Sequence, residues 1–191
     1  YNITFLLNIS RDVPEDLGVV LFGYVLPFLL VATLITNLLI VLVLSQAHMR
    51  TPTNLVLLAM AIADLLTLLS PAPWYFYLYT LGNHRSPANS LYPPRTCYLF
   101  HVMYEVLPAL FHTYSIWLTL LLAGQRYVYV CHFSLARSWC TVPRVIKAMV
   151  AVFLVAALHQ STRFVDRDFL TVRFIWNEQV IEGCEYLTAS W

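Results

Sequence analysis

Three long stretches almost free of charge decide what this chain can fold into. Leu17 to Leu44 holds no charged residue, Thr53 to Thr80 holds only Asp64, and Thr96 to Gln125 holds only Glu105. Each exceeds the roughly 20 apolar residues that cross a hydrocarbon core. A fourth run, Ala148 to Thr162, is uncharged but only about 15 residues long. It spans if Lys147 and Arg163 snorkel to opposite interfaces; the alternative is a re-entrant segment. Backbone groups in lipid need internal partners, so all four spans should be helices. Composition agrees. Charged residues make up 11% of the 191-residue chain, against about 25% in a soluble domain. That is too little polar surface for water.

The reading is an all-α membrane protein with four transmembrane helices. Residues 1–16 form an extracellular tail and 17–191 a partial transmembrane domain. The helices fall near 17–45, 53–81, 96–130 and 144–165, followed by an extracellular loop. The chain starts at Tyr1 without a methionine and ends inside "YLTASW", which could open a fifth span, so it reads as the N-terminal part of a larger protein. Orientation comes from "NIT" and "NIS", glycosylation sequons at Asn2 and Asn8 that require a lumenal side. The 45–52 and 127–147 loops then lie in the cytoplasm, where with their flanks they carry Arg50, Arg126, Arg137, Arg144 and Lys147 and no acid; the outer segments hold six Lys/Arg, so the positive-inside count does not decide the orientation. Cys97 and Cys184 fall outside, where thiols oxidise, and Cys131 and Cys140 inside, where they stay reduced. The outer pair forms either a bridge or two independent buried thiols.

Helix 3 carries the polar chemistry. His101, Glu105, Pro108, His112, Ser115, Thr119 and Arg126 are separated by steps of 4, 3, 4, 3, 4 and 7, one face of a helix. Polar groups inside a membrane face a bundle interior or a cavity and mark function. His101, one turn from Glu105, could share its charge. Glu105 is either a ligand contact or a structural partner of a histidine, and His112 reads first as a core histidine. Asp64 in helix 2 must be paired, hydrated, protonated or ion-bound. Asn37 and Ser115 could complete a polar cluster around it. Pro71 and Pro73 in "SPAPW" should bend helix 2.

Read together, these residues resemble the first four helices of a rhodopsin-like (class A) G-protein-coupled receptor. "TNLLIVLVL" carries the helix 1 asparagine as Asn37, and "LAMAIADLL" the helix 2 aspartate as Asp64. Cys97 and Cys184 match the bridge from helix 3 to the second extracellular loop. "QRY" stands where the family has an acid-Arg-Tyr motif, giving Gln125, Arg126 and Tyr127, and Ser115 matches a serine of the sodium pocket. Three features depart from the pattern. Gln125 replaces the acid, helix 4 lacks the usual tryptophan, and Cys97 to Arg126 is 29 positions, about one turn more than the family commonly shows, which suggests an extra turn or a bulge near Pro108.

"PAPWYFYLYTLGNH", "EVLPALFHTYSIWLTLLLAGQRYVYVCH", "ARSWCTVPRV" and "LHQSTRFVDR" are similar to the invertebrate sex peptide and myoinhibitory peptide receptors. That resemblance implies a neuropeptide receptor of the plasma membrane, glycosylated and disulfide-bonded, with an amidated peptide as ligand. It implies signal transduction through a heterotrimeric G protein of the inhibitory class, and no cofactor beyond a sodium ion near Asp64. A receptor for FMRFamide-like or myosuppressin peptides is the alternative. His101, Glu105, Pro108 and His112 are the candidate ligand contacts. Arg126, with Gln125 and Tyr127, is the candidate G-protein contact. A neutral Gln125 offers Arg126 at most a hydrogen bond, so the resting arginine should be held weakly. Other classes fit poorly. There is no nucleophile–base pair or metal-ligand spacing, so the chain is not an enzyme, and there is no basic patch for nucleic acid. A half transporter or channel would show inverted repeats or matching broken helices, and neither is visible.

Overall fold

The computed structural model describes residues 15–83, 94–165, 167–176 and 179–188. Among the described residues, four helical spans are long and apolar enough to cross a membrane: Leu17–Leu44, Pro52–Thr80, Tyr98–Cys131 and Val142–Phe164. The fourth run is thus a spanning-length helix and not a re-entrant turn. Local chemistry sets the helix ends. Thr51 precedes Pro52, and its hydroxyl accepts the backbone N–H of Asn54 at 3.2 Å, an N-cap followed by a proline that has no N–H to satisfy. The second span ends at Gly82, whose φ of 71° is the left-handed conformation that suits glycine.

Prolines reshape three of the spans. At Pro71 the second span breaks, with α-helix over Pro52–Leu69 and again over Ala72–Tyr75. In the first and third spans a five-residue π-helical turn ends two residues before a proline: Leu21–Val25 before Pro27, and Val102–Val106 before Pro108. The reason is the same in both. A proline lacks the N–H that would bond the carbonyl four residues earlier, Gly23 and Tyr104 respectively, and its ring crowds that carbonyl. The helix widens there. The Val102–Val106 turn is a bulge next to Pro108, and its one extra residue makes up only part of the long Cys97–Arg126 spacing. A third π turn, Phe76–Thr80, closes the second span.

The chain divides into two compact units. The first comprises Tyr1–Val31, Leu69–Val106 and Thr162–Trp191. Its core is aromatic. Phe22 stacks on Tyr75 at 5.0 Å, Tyr75 meets Tyr104 at 5.2 Å, Tyr104 stacks on Phe100 at 4.9 Å, and Trp74 meets Phe100 edge-on at 5.3 Å. The Thr80 hydroxyl donates to the carbonyl of Gly23 at 3.3 Å, and Gly23 is buried against the backbone of Tyr79. The second unit comprises Ala32–Leu68 and Leu107–Ser161. Val56, Leu118 and Val145, one from each of the last three spans, form its buried centre. In lipid such contacts stabilise through close packing, because the tails are as apolar as leucine.

Outside the spans the structure adds a hairpin that the all-α reading left as loop. Strands β1 (Arg167–Trp176) and β2 (Gln179–Thr188) pair antiparallel, with Trp176 opposite Gln179 and Thr171 opposite Cys184. The helix Pro94–His101 packs on both strands. Cys97 lies in that helix and Cys184 in β2, so the elements meet. The two side chains, like the sequons at Asn2 and Asn8, lie outside the described residues. Cys131 and Cys140 are free thiols.

Candidate functional site

In the first unit, Glu105 sits in the π turn that Pro108 imposes on the third span. It is one-third exposed and engaged from two sides. His101, one turn back and 5% exposed, places Nδ1 at 3.2 Å from Oε2. Arg163, at the end of the fourth span, donates from Nη1 to Oε1 at 2.9 Å. The histidine contact follows from the spacing of four. The arginine was read only as a snorkelling residue, and it also neutralises the one acid of the third span. Glu105 therefore presents no lone negative charge. The pair offers an acceptor and a cationic donor side by side, both partly open to solvent.

In the second unit, the Ser115 hydroxyl donates to Asp64 Oδ1 at 2.8 Å. Asn37 does not complete this cluster. Its Nδ2 donates to the Thr33 carbonyl of its own helix at 3.1 Å. It does line, with Asp64, a largely apolar cleft of about 540 Å³ between the first two spans. Gln160 ties the fourth span to the third, donating to Thr113 Oγ1 at 2.9 Å. Nothing in the sequence pattern singled it out.

The single stripe on the third span resolves into two environments. His101 and Ser115 are buried and Glu105 and Pro108 half-buried, whereas His112, Thr119 and Arg126 are exposed. His112 is thus not buried among these four spans. It shares the exposed surface with Ile116 and Leu120. Arg126 is exposed and makes no hydrogen bond or ion pair among the described residues. Tyr127 is also exposed, its ring edge-on to His132 at 5.6 Å. Gln125 turns the other way. It is 5% exposed, on the stripe of Leu118, Leu121 and Leu122, and neither amide atom has a partner among the described residues. Gln125 therefore does not hold Arg126 at all.

Comparison with known proteins agrees with this arrangement. The family described as serpentine type 7TM GPCR chemoreceptor Srw matches residues 24–190. The chain is 48% identical over 184 residues to a protein of Drosophila melanogaster named sex peptide receptor, covering 96% of this chain and 42% of that one. It is 36% identical over 159 residues to sex peptide receptor-related protein 2 of Caenorhabditis elegans, covering 83% of this chain and 35% of that one. The chain thus spans about two fifths of the length of these curated relatives. Four apolar spans, a part-buried Asp64–Ser115 pair, an exposed Arg126 and this similarity along nearly the whole chain lead to one assignment: the chain belongs to the seven-transmembrane G-protein-coupled receptors, in the sex peptide receptor group, and is a multi-pass membrane receptor protein, not an enzyme.

Proposed function

We propose that these four spans belong to a neuropeptide-activated receptor of the plasma membrane, whose ligand is an amidated peptide of the myoinhibitory or sex-peptide class. The N-terminus lies outside, and the complete receptor signals through an inhibitory G protein. The observation that carries the ligand class is the 48% identity to a sex peptide receptor over nearly the whole chain. The Glu105–Arg163 pair supports the amidated terminus. A primary carboxamide is both donor and acceptor: its NH₂ can bond the Glu105 carboxylate while its carbonyl accepts from the Arg163 guanidinium. A free carboxylate terminus has no N–H to offer Glu105 and would have to compete with it for the Arg163 guanidinium.

Arg126 and Tyr127, both exposed, are the residues that would contact the G protein. Asp64 and Ser115 supply two oxygen donors close together, a set suited to a sodium ion. The complete receptor, expressed in cells with a cyclic-AMP reporter, tests the reading. A myoinhibitory-type amide should lower cyclic AMP at far lower concentration than the same peptide as free acid. FMRFamide-like and myosuppressin amides belong in the same panel. A preference for either, or equal potency of acid and amide, would refute the assignment.

A further inference from the structure

Between the third and fourth spans, a short helix (Phe133–Trp139) and the first turn of Val142–Val165 form a cleft of about 300 Å³ lined by Ser138, Trp139 and Arg144. Arg144 donates from Nη1 to the Ser138 carbonyl and, at 3.1 Å, to its hydroxyl. The guanidinium's other nitrogens make no hydrogen bond among the described residues. Lys147, one turn further, and Arg137 are exposed and without an ion pair among the described residues. No Asp or Glu occurs anywhere between Glu105 and Asp166. The cleft thus joins one cation, Arg144, to neutral donors, with Arg137 and Lys147 close to it in sequence and no acid in that stretch to balance them.

A second observation is independent of charge. The short helix exposes large apolar side chains: Phe133 is 81% exposed, Leu135 45% and Trp139 62%. Leu135 and Trp139 are four residues apart and share a face. Water disfavours such a surface. The interface of a bilayer favours it, tryptophan above all.

One occupant meets both observations. We propose that this cleft binds the phosphate headgroup of an anionic phospholipid, with the glycerol and upper acyl chains lying against Leu135 and Trp139. The planar guanidinium of Arg144 matches two phosphate oxygens, the Ser138 hydroxyl and Trp139 indole N–H add neutral donors, and Lys147 strengthens the field. The choice of the cytoplasmic leaflet, where anionic lipids concentrate, rests on the orientation proposed above; the chemistry of the cleft does not.

The test uses the complete receptor, reconstituted in nanodiscs of phosphatidylcholine with a minor fraction of phosphatidylserine. Both faces are then accessible, and retained lipid is counted by mass spectrometry after detergent washing. The wild type should retain phosphatidylserine. Arg144→Gln with Lys147→Gln should weaken retention about fivefold per charge removed, with phosphatidylcholine unchanged. Ser138→Asp, which puts a carboxylate in the cleft, should act like the double variant. Excess inorganic phosphate should not displace the lipid; displacement would make this a free-anion site and overturn the lipid assignment. Equal retention by wild type and variants would also overturn it. If the double variant fails to fold, Arg144→Lys, which keeps the charge and loses the planar fork, must still reduce retention. The readout needs no peptide. A wild type that answers no peptide would count against the proposed function and leave the lipid result standing.

Discussion

Gln125 gives the sharpest test of the packing described here. Its amide is buried at 5% exposure, with neither nitrogen nor oxygen bonded among the described residues. A buried polar group without a partner costs about 1–3 kcal/mol. Gln125→Met keeps the length and roughly the volume of the side chain and removes both polar atoms. It should therefore stabilise the complete receptor by about 1–3 kcal/mol, several degrees in thermal inactivation. Gln125→Glu has the same shape and should do the opposite. The nearest cation in sequence, Arg126, is exposed and about 100° around the helix, so the carboxylate would be buried without a counter-charge, at a cost of several kcal/mol. The assay is thermal inactivation of detergent-solubilised receptor, followed by size-exclusion chromatography. If Gln125→Met were less stable than wild type, the amide must be making bonds that stabilise the fold, and the reasoning would fail. Basal signalling provides a second reading. If an active state supplies the amide with a partner, Gln125→Met removes that differential gain and should lower basal activity.

Three further outcomes are expected in the complete receptor at matched surface expression. Glu105→Gln should weaken agonist potency, and Arg163→Gln should weaken it similarly, with the double variant no worse than either single, because the two act as a pair; additive losses in a cyclic-AMP assay would separate them. Cys97→Ser and Cys184→Ser should each lower surface expression, the double equalling the single, and a thiol label reaching Cys97 in native protein would exclude the bridge. Arg126→Ala should abolish G-protein activation while radioligand binding persists; loss of both together would point to misfolding instead of a coupling role.

The four spans were legible because runs without charge have one solution in a bilayer. The polar positions Asp64, Ser115, Glu105 and Arg126 were legible because each is an exception within such a run. What stayed hidden depends on helix rotation and on partners distant in sequence. Periodicity put His101 through Arg126 on one stripe, but it does not say which positions of that stripe meet a neighbouring span: within the single α-helix Leu107–Cys131, Ser115 is buried against Asp64 while His112 is exposed. Arg163 is 58 residues from Glu105, and no local rule joins them. Burial of Gln125 could not be inferred from its neighbour Arg126, since adjacent residues on a helix face different surroundings. The hairpin did leave a trace. "DFLTVRFIW" is rich in β-branched and aromatic residues, a strand signal obscured by its position after a long apolar helix.

The π turns also bear on how residue numbers can be carried from one receptor to another. A π turn holds one more residue than the α turn it interrupts. Counting along the third span from Arg126 is therefore safe down to Leu107 and falls out of step by one residue beyond Val106. A receptor that lacks the extra residue would present the neighbour of its nominal Glu105 equivalent to the fourth span. Deleting one residue within Val102–Val106 would thus leave Arg126 and Ser115 in place while turning Glu105 away from Arg163. Gaps in this short segment, and not only the identity of the acid, then decide whether two members of the group share the Glu105–Arg163 contact.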